Sequence, residues 1–178
     1  MMVVVHAVLD YADDHATRGG PHREAHLARL FELRARGRVV GVGVRLGAPR
    51  ADIFYRGATR AEVEGLITAD PYYAHGVATG YTLRPFVQFV EPWHPAEAKV
   101  DGSRIAIIAE APVADLDLAS LVLVELRGRG QMTFGGFLEK HALMVLATPE
   151  RATAVGWLEE TGLWREADLT AWEWAYLF

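Results

Sequence analysis

Apolar and polar positions along this chain follow two spacings in alternation. Residues 3–9 form a short β-branched run, and residues 21–36 carry Leu27, Leu30, Phe31 and Leu33 at helical spacing up to a terminating Gly37. Residues 39–46 and 52–56 read as two strands around a turn that contains Gly47 and Pro49. Thr59 and Glu62 form a capping box for a helix bearing Val63, Leu66 and Ile67, and residues 80–90 supply a last strand. The first half therefore reads βαββαβ.

The second half repeats that order. Residues 104–109 read as a strand, and residues 115–127 as a helix with Leu116, Ala119, Leu123 and Leu126, closed by Gly128 or Gly130. Residues 131–138 and 141–147 are the next strand pair. Thr148 and Pro149 are expected as N-cap and first residue of a second helix with Val155 and Leu158 on its apolar face, and residues 169–178 as the last strand. Gly37 and Gly130 are 93 positions apart, Thr59 and Thr148 89, Phe86 and Phe178 92, a steady offset that argues for internal duplication. The expected fold class is α+β, with tandem ferredoxin-like βαββαβ repeats. Such a unit leaves one sheet face bare, so the two are expected to pack into an intrachain pseudo-dimeric α/β barrel with a cavity. The expected domains are 1–90, a linker over 91–102, and 103–178.

Composition sharpens this division. Residues 1–90 hold 11 Arg against 9 acids, whereas residues 91–178 hold 7 basic residues against 14 acids and all five tryptophans. A net charge of +2 is far below a nucleic-acid footprint, so nucleic acid is not an expected partner. Cysteine is absent, which removes disulfides, thiolate zinc sites and cysteine nucleophiles. The apolar start is interrupted by His6 and followed by Asp10, Asp13 and Asp14, with no membrane-spanning run, and a soluble cytoplasmic protein is expected.

Two blocks carry candidate chemistry. In Arg23-Glu24-Ala25-His26-Leu27-Ala28-Arg29-Leu30, a cation and an imidazole share the inward stripe near a helix start. In Ala69-Asp70-Pro71-Tyr72-Tyr73-Ala74-His75-Gly76-Val77, the carboxylate stands where it could orient that imidazole, leaving the second ring nitrogen as a base.

Together with Arg36-Gly37-Arg38-Val39-Val40 and Leu83-Arg84-Pro85-Phe86, these blocks resemble the YCII (YciI-like) family of small bacterial proteins over residues 1 to about 90. The resemblance implies a ferredoxin-like unit paired into a dimeric α/β barrel, with a His–Asp dyad that maps to His26 and Asp70. It also implies chemistry on small cyclic compounds: dehydrochlorination of a chlorinated hydroxyhydroquinone is associated with the family, lactone isomerases and monooxygenases with its wider superfamily. Residues 103–178 depart from the pattern. His26 falls opposite Ala119, Arg23 opposite Leu116, and Asp70-Pro71 near Thr161-Gly162, so one site per chain is expected.

Each candidate also has a purely structural reading. Asp70 before Pro71 fits the N-cap of a short helix, a role compatible with orienting a base. His26 could be a satisfied buried histidine, and Arg23 either a solvated first-turn residue or an anchor for an anionic oxygen. Tyr72 is assigned to substrate binding as a packing ring rather than an acid. His22 and His26 have a chelating spacing, with His15, His6 or Asp10 as further ligands, but no carboxylate motif accompanies them and no metal is assigned. Gly41, Gly43 and Gly47 miss the dinucleotide spacing and precede no helix.

The expectation is a cofactor-independent lyase or isomerase that uses the His26–Asp70 dyad for proton abstraction on a small oxygenated cyclic or enol-type substrate, with Arg23 stabilising the enolate or phenolate. The alternative is a non-catalytic binding or regulatory barrel for small, anionic molecules, and a third reading is a monooxygenase-like barrel. Duplication removes the need for a partner chain without forbidding homo-oligomers.

Overall fold

A computed structural model describes residues 2–90 and 97–178 of the chain. Of the expected linker, residues 91–96 lie outside the described residues, and 97–102 form neither helix nor strand. The fold is α+β, and the chain divides into two compact units, one running to Pro85 and including Phe178, the other spanning Phe86–Leu177.

In the first unit the order is β1 (Val3–Tyr11), α1 (His15–Gly19), a 3-10 turn (Gly20–His22), α2 (Arg23–Ala35), β2 (Val39–Arg45), β3 (Arg50–Gly57), α3 (Arg60–Thr68), α4 (Pro71–Ala74) and β4 (Ala78–Gln88), whose last residues pass into the second unit. The strand order is β4-β1-β3-β2, with β3 antiparallel to both β1 and β2. Helix α2 ends as its sequence requires: Gly37 takes φ 68°, its N–H donates to Arg34 at 2.8 Å, and the Arg38 N–H donates to Leu33 at 2.8 Å. Thr59 caps α3 by accepting the Glu62 N–H, and Glu62 reaches back to the Ala58 N–H.

The buried stripe of α2 differs from the expected one. His26, Leu30 and Leu33 face inward, whereas Phe31 is partly exposed and meets the Phe178 ring at 5.8 Å. The expected Leu30 and Leu33 are buried and His26 shares their face, whereas Leu27 is only partly buried, Phe31 turns its apolar surface to another ring, and Arg23, expected on the inward stripe, is exposed on the first turn. Along β3, Gly57 backs so closely onto Val63 of α3 that a Cβ there would stand 2.8 Å from the valine side chain. Residues alternating with Gly57, namely Tyr55, Ile53 and Ala51, thus lie on the helix-covered face, and all three are buried.

The second unit contains β5 (Ile105–Pro112), α5 (Leu116–Gly128), β6 (Met132–Phe137), β7 (His141–Leu146), α6 (Arg151–Glu160), a 3-10 turn (Glu166–Asp168) and β8 (Thr170–Tyr176). Its strand order is β8-β5-β7-β6, again antiparallel. Ala119, Leu123 and Leu126 of α5 and Ala154 and Leu158 of α6 pack on Ile107, Ala109, Met144 and Leu146. Helix α5 stops as α2 does, with Gly130 at φ 72° and the Gln131 N–H donating to Leu126 at 2.9 Å. One expected boundary is corrected. Helix α6 begins at Arg151 with Glu150 as N-cap, because the Thr148 hydroxyl accepts the Glu150 N–H and forms a separate turn ahead of the helix.

Candidate functional site

Asp70 carries two duties through one oxygen. The chain leaves α3 through Ala69, and Asp70 takes an extended conformation with φ −72° and ψ 136° as N-cap of the single turn α4, where Pro71 occupies the first position. Asp70 Oδ1 accepts the Tyr72 N–H at 2.8 Å and also contacts His26 Nδ1 at 2.7 Å. The structural and site readings of Asp70 therefore coexist. Both side chains are nearly enclosed, at 8% exposure for His26 and 5% for Asp70. A carboxylate accepts, so the contact fixes the proton of the neutral imidazole on Nδ1 and leaves the lone pair on Nε2. Among the described residues, no hydrogen bond engages Nε2.

Tyr72 completes the setting. Its ring lies over the His26 ring at 3.8 Å between centroids and 5° from parallel. The Tyr72 hydroxyl points at Gly19, where a Cβ would come within 3.1 Å of it, so the glycine leaves room for the phenol. Burial pushes the Tyr72 phenol up, and Asp70 adds to this while the Arg23 guanidinium opposes it. Tyr72 thus stays a neutral hydroxyl and Arg23, on the exposed first turn of α2, is electrostatically coupled to it. The structure brings His26, Asp70 and Tyr72 into direct contact and places Arg23 at the edge of the group.

Two tyrosines escaped the sequence reading. Tyr11, at the end of β1, meets Tyr72 edge to face at 6.0 Å and 83°. Burial holds its phenol well above the ordinary range, with Tyr72 and Asp70 contributing. Tyr55 on β3 is fully buried, and its phenol is raised first by burial and then by Asp70. The available signal was alternation: Tyr11 and Tyr55 fall on the same face as Val5, Ala7, Leu9 and Ile53, toward the helices.

The histidine pair at helical spacing does not converge. His22 lies in the 3-10 turn before α2 and stacks on His75 at 3.8 Å and 3° from parallel, whereas His26 is held by Asp70. Among the described residues, no group of three His, Cys, Asp or Glu is placed to hold a metal. No helix there is long and apolar enough to cross a membrane.

In the second unit the matching positions are apolar or bare. Leu116 starts α5 where Arg23 starts α2, Ala119 stands three residues on where His26 does, and Gly162 with φ 73° stands two residues past α6 where Asp70 follows α3.

No family model matches the chain, and no curated protein matches it. Solved structures do. A protein from Fusobacterium nucleatum and one from Lactobacillus acidophilus, both named putative monooxygenases, align at TM-scores of 0.62 and 0.60 with 7% and 10% identity. They cover 99% and 98% of this chain, and 93% of their own length in both cases. A heme-binding protein from Thermus thermophilus aligns at TM-score 0.57 with 11% identity, covering 100% of this chain and 92% of its own. These neighbours are dimeric α+β barrel proteins, and the likeness at such identities is one of fold.

Proposed function

We propose that the chain is a tandem ferredoxin-like protein of YCII type whose first unit catalyses proton transfer on a small oxygenated cyclic or enol-type molecule. The carrying observation is the buried 2.7 Å contact from His26 Nδ1 to Asp70, which leaves Nε2 as the basic nitrogen. Nε2 takes a proton from a carbon next to a carbonyl or from a ring hydroxyl, and the electron pair of that bond becomes an enolate or phenolate. The Arg23 guanidinium compensates the negative oxygen. The imidazolium then returns the proton at another carbon, giving an isomer, or the enolate expels a leaving group, giving a lyase. Asp70 holds the ring and balances the imidazolium charge without taking the proton. Proton transfer of this kind needs a base, an orienting group and an oxyanion partner, all supplied by side chains, and so calls for no cofactor. Fold neighbours named as monooxygenases and as a heme-binding protein agree with a small-molecule role and leave the reaction to the site itself.

The test is deuterium exchange. Substituted hydroquinones and unsaturated five-membered lactones are incubated in heavy water with wild type and with His26→Ala, and exchange is followed by NMR. Wild type is expected to accelerate exchange in at least one probe, and His26→Ala to lose about 100-fold or more of that rate. Equal exchange by both proteins overturns the reading. One observation favours the non-catalytic alternative: the second unit keeps the plan with Ala119 and Leu116 in place of the dyad histidine and the arginine. That alternative predicts binding lost on Arg23→Ala and kept in His26→Gln.

A further inference from the structure

Helix α5 turns Ala119, Val122, Leu123 and Leu126 into the core of the second unit. The other side of such a helix is expected to be polar. This one is apolar: Leu121 is 69% exposed, and Leu116, Leu118 and Val124 are between 46% and 57% exposed. Asp117, Leu121, Val124 and Gly128 follow at steps of four, three and four residues and are all exposed, so they form one line along the outside of the helix. Leu118 and Leu116 flank that line on its two sides.

The first unit supplies a comparison. Helix α2 also has 13 residues, and at the offset of 93 positions Arg23, Ala25 and Ala28 stand where α5 has Leu116, Leu118 and Leu121. Phe31, which corresponds to Val124, is met by the Phe178 ring. The build of this helix therefore does not itself call for large apolar residues outside, and those of α5 are an addition to it.

Charge says what covers them. Asp115 and Asp117 stand at the start of α5 and Arg129 just past its end. Among the described residues no ion pair engages Asp117, while Arg129 is exposed and pairs with Glu125 of its own helix. These signs suit the helix dipole, and they also discriminate between pairings of two such helices. A second α5 laid parallel sets acid on acid and base on base. Laid antiparallel, about a two-fold axis passing midway between Leu121 and Val124, it sets Leu121 on Val124 of the second copy and Asp117 beside Gly128 and Arg129 of the second copy. A Cβ at Gly128 would meet nothing within 4 Å in its own chain, and its absence lets the second backbone come close.

We propose that the outer face of α5 is a self-association surface on which two copies of the chain pair antiparallel, with Leu121 against Val124 at the centre and Asp117 against Arg129 at both ends. The helix is about 20 Å long, and one helix pair buries less than the roughly 1,200–2,000 Å² of a standard interface, so the dimer forms reversibly with concentration.

Sedimentation velocity of the whole chain, from about 1 μM to about 1 mM, reads the association. Wild type is expected to pass from monomer toward dimer across that range. Leu121→Lys should weaken the dimer by about ten-fold or more with an unchanged melting temperature, because this side chain lies outside the core. Ala28→Lys, at the corresponding position of α2, should leave association as in wild type. Charge reversal reads the direction: Asp117→Arg and Arg129→Asp should each weaken the dimer, and the double variant should recover it. Four results would each overturn the surface: a monomer at every concentration, a dimer that Leu121→Lys leaves intact, an equal loss in Ala28→Lys, or single charge variants whose effect the double variant does not reverse. The surface owes nothing to His26, so His26→Ala should associate as wild type does, and either proposal can fail alone.

Discussion

The imidazole of His26 and the phenol ring of Tyr72 lie face to face, 3.8 Å apart and 5° from parallel, while both residues draw on one oxygen of Asp70. The stack fixes the ring plane and the carboxylate fixes its rotation about that plane. Neither alone aims Nε2.

Separating ring from hydroxyl tests the stack. Tyr72→Phe keeps the ring and should retain kcat/KM within about ten-fold, whereas Tyr72→Ala frees the imidazole and should lose about 100-fold. Steady-state kinetics on the best exchange probe would check both. A larger loss in Tyr72→Phe than in Tyr72→Ala would show the hydroxyl to be the working group.

Asp70→Asn separates capping from orientation. Asn remains a good N-cap, so the melting temperature should move little, while the amide no longer supplies the negative oxygen that holds the Nδ1 proton. The expected outcome is activity reduced about 10²- to 10⁴-fold with a near-normal fold. Asp70→Ala should add about 1 kcal/mol of lost stability by calorimetry, because the Tyr72 N–H then loses its acceptor.

Tyr11 and Tyr55 are expected to make stability fall at alkaline pH. Burial raises both phenols, so the folded state keeps its protons where an unfolded tyrosine, with an ordinary value near ~10, would release them. Their contribution is complete below about pH 10 and declines as pH climbs above that value toward the raised folded one. Denaturant titrations across pH 9 to about 11 should show wild type losing stability more steeply than Tyr55→Phe, which has no proton to release.

Gly136 is the tightest backbone approach in the second unit. A Cβ there would stand 2.1 Å from the Val87 carbonyl oxygen and 2.7 Å from the Phe86 ring, where Gln88 pairs with Gly136 across β4 and β6. Gly136→Ala is expected to destabilise by about 1–3 kcal/mol or more, read as a lower melting temperature.

The element order was legible because caps and periods agree: Gly37 and Gly130 close their helices in the same way, and Thr59 caps where its spacing to Glu62 said it would. The contact between His26 and Asp70 was legible because the histidine falls on the inward face near the start of α2 and the aspartate follows α3 directly, before a proline. Three features were hidden. Helix α1 is five residues, too short to show a period. Thr148 looked like a helix cap because a hydroxyl can serve a turn as readily as a helix. The hydrogen-bonded His6–Asp52–Arg45 group joins three strands, with His6 and Asp52 46 positions apart, and only the register of β1 against β3 reveals that they share a face.

The oxygen that starts helix α4 is also the one that selects which imidazole nitrogen holds the proton. Winding of Pro71–Ala74 and orientation of the His26 ring thus depend on the same atom. A change that frays the four-residue turn therefore also loosens the carboxylate that holds the His26 ring.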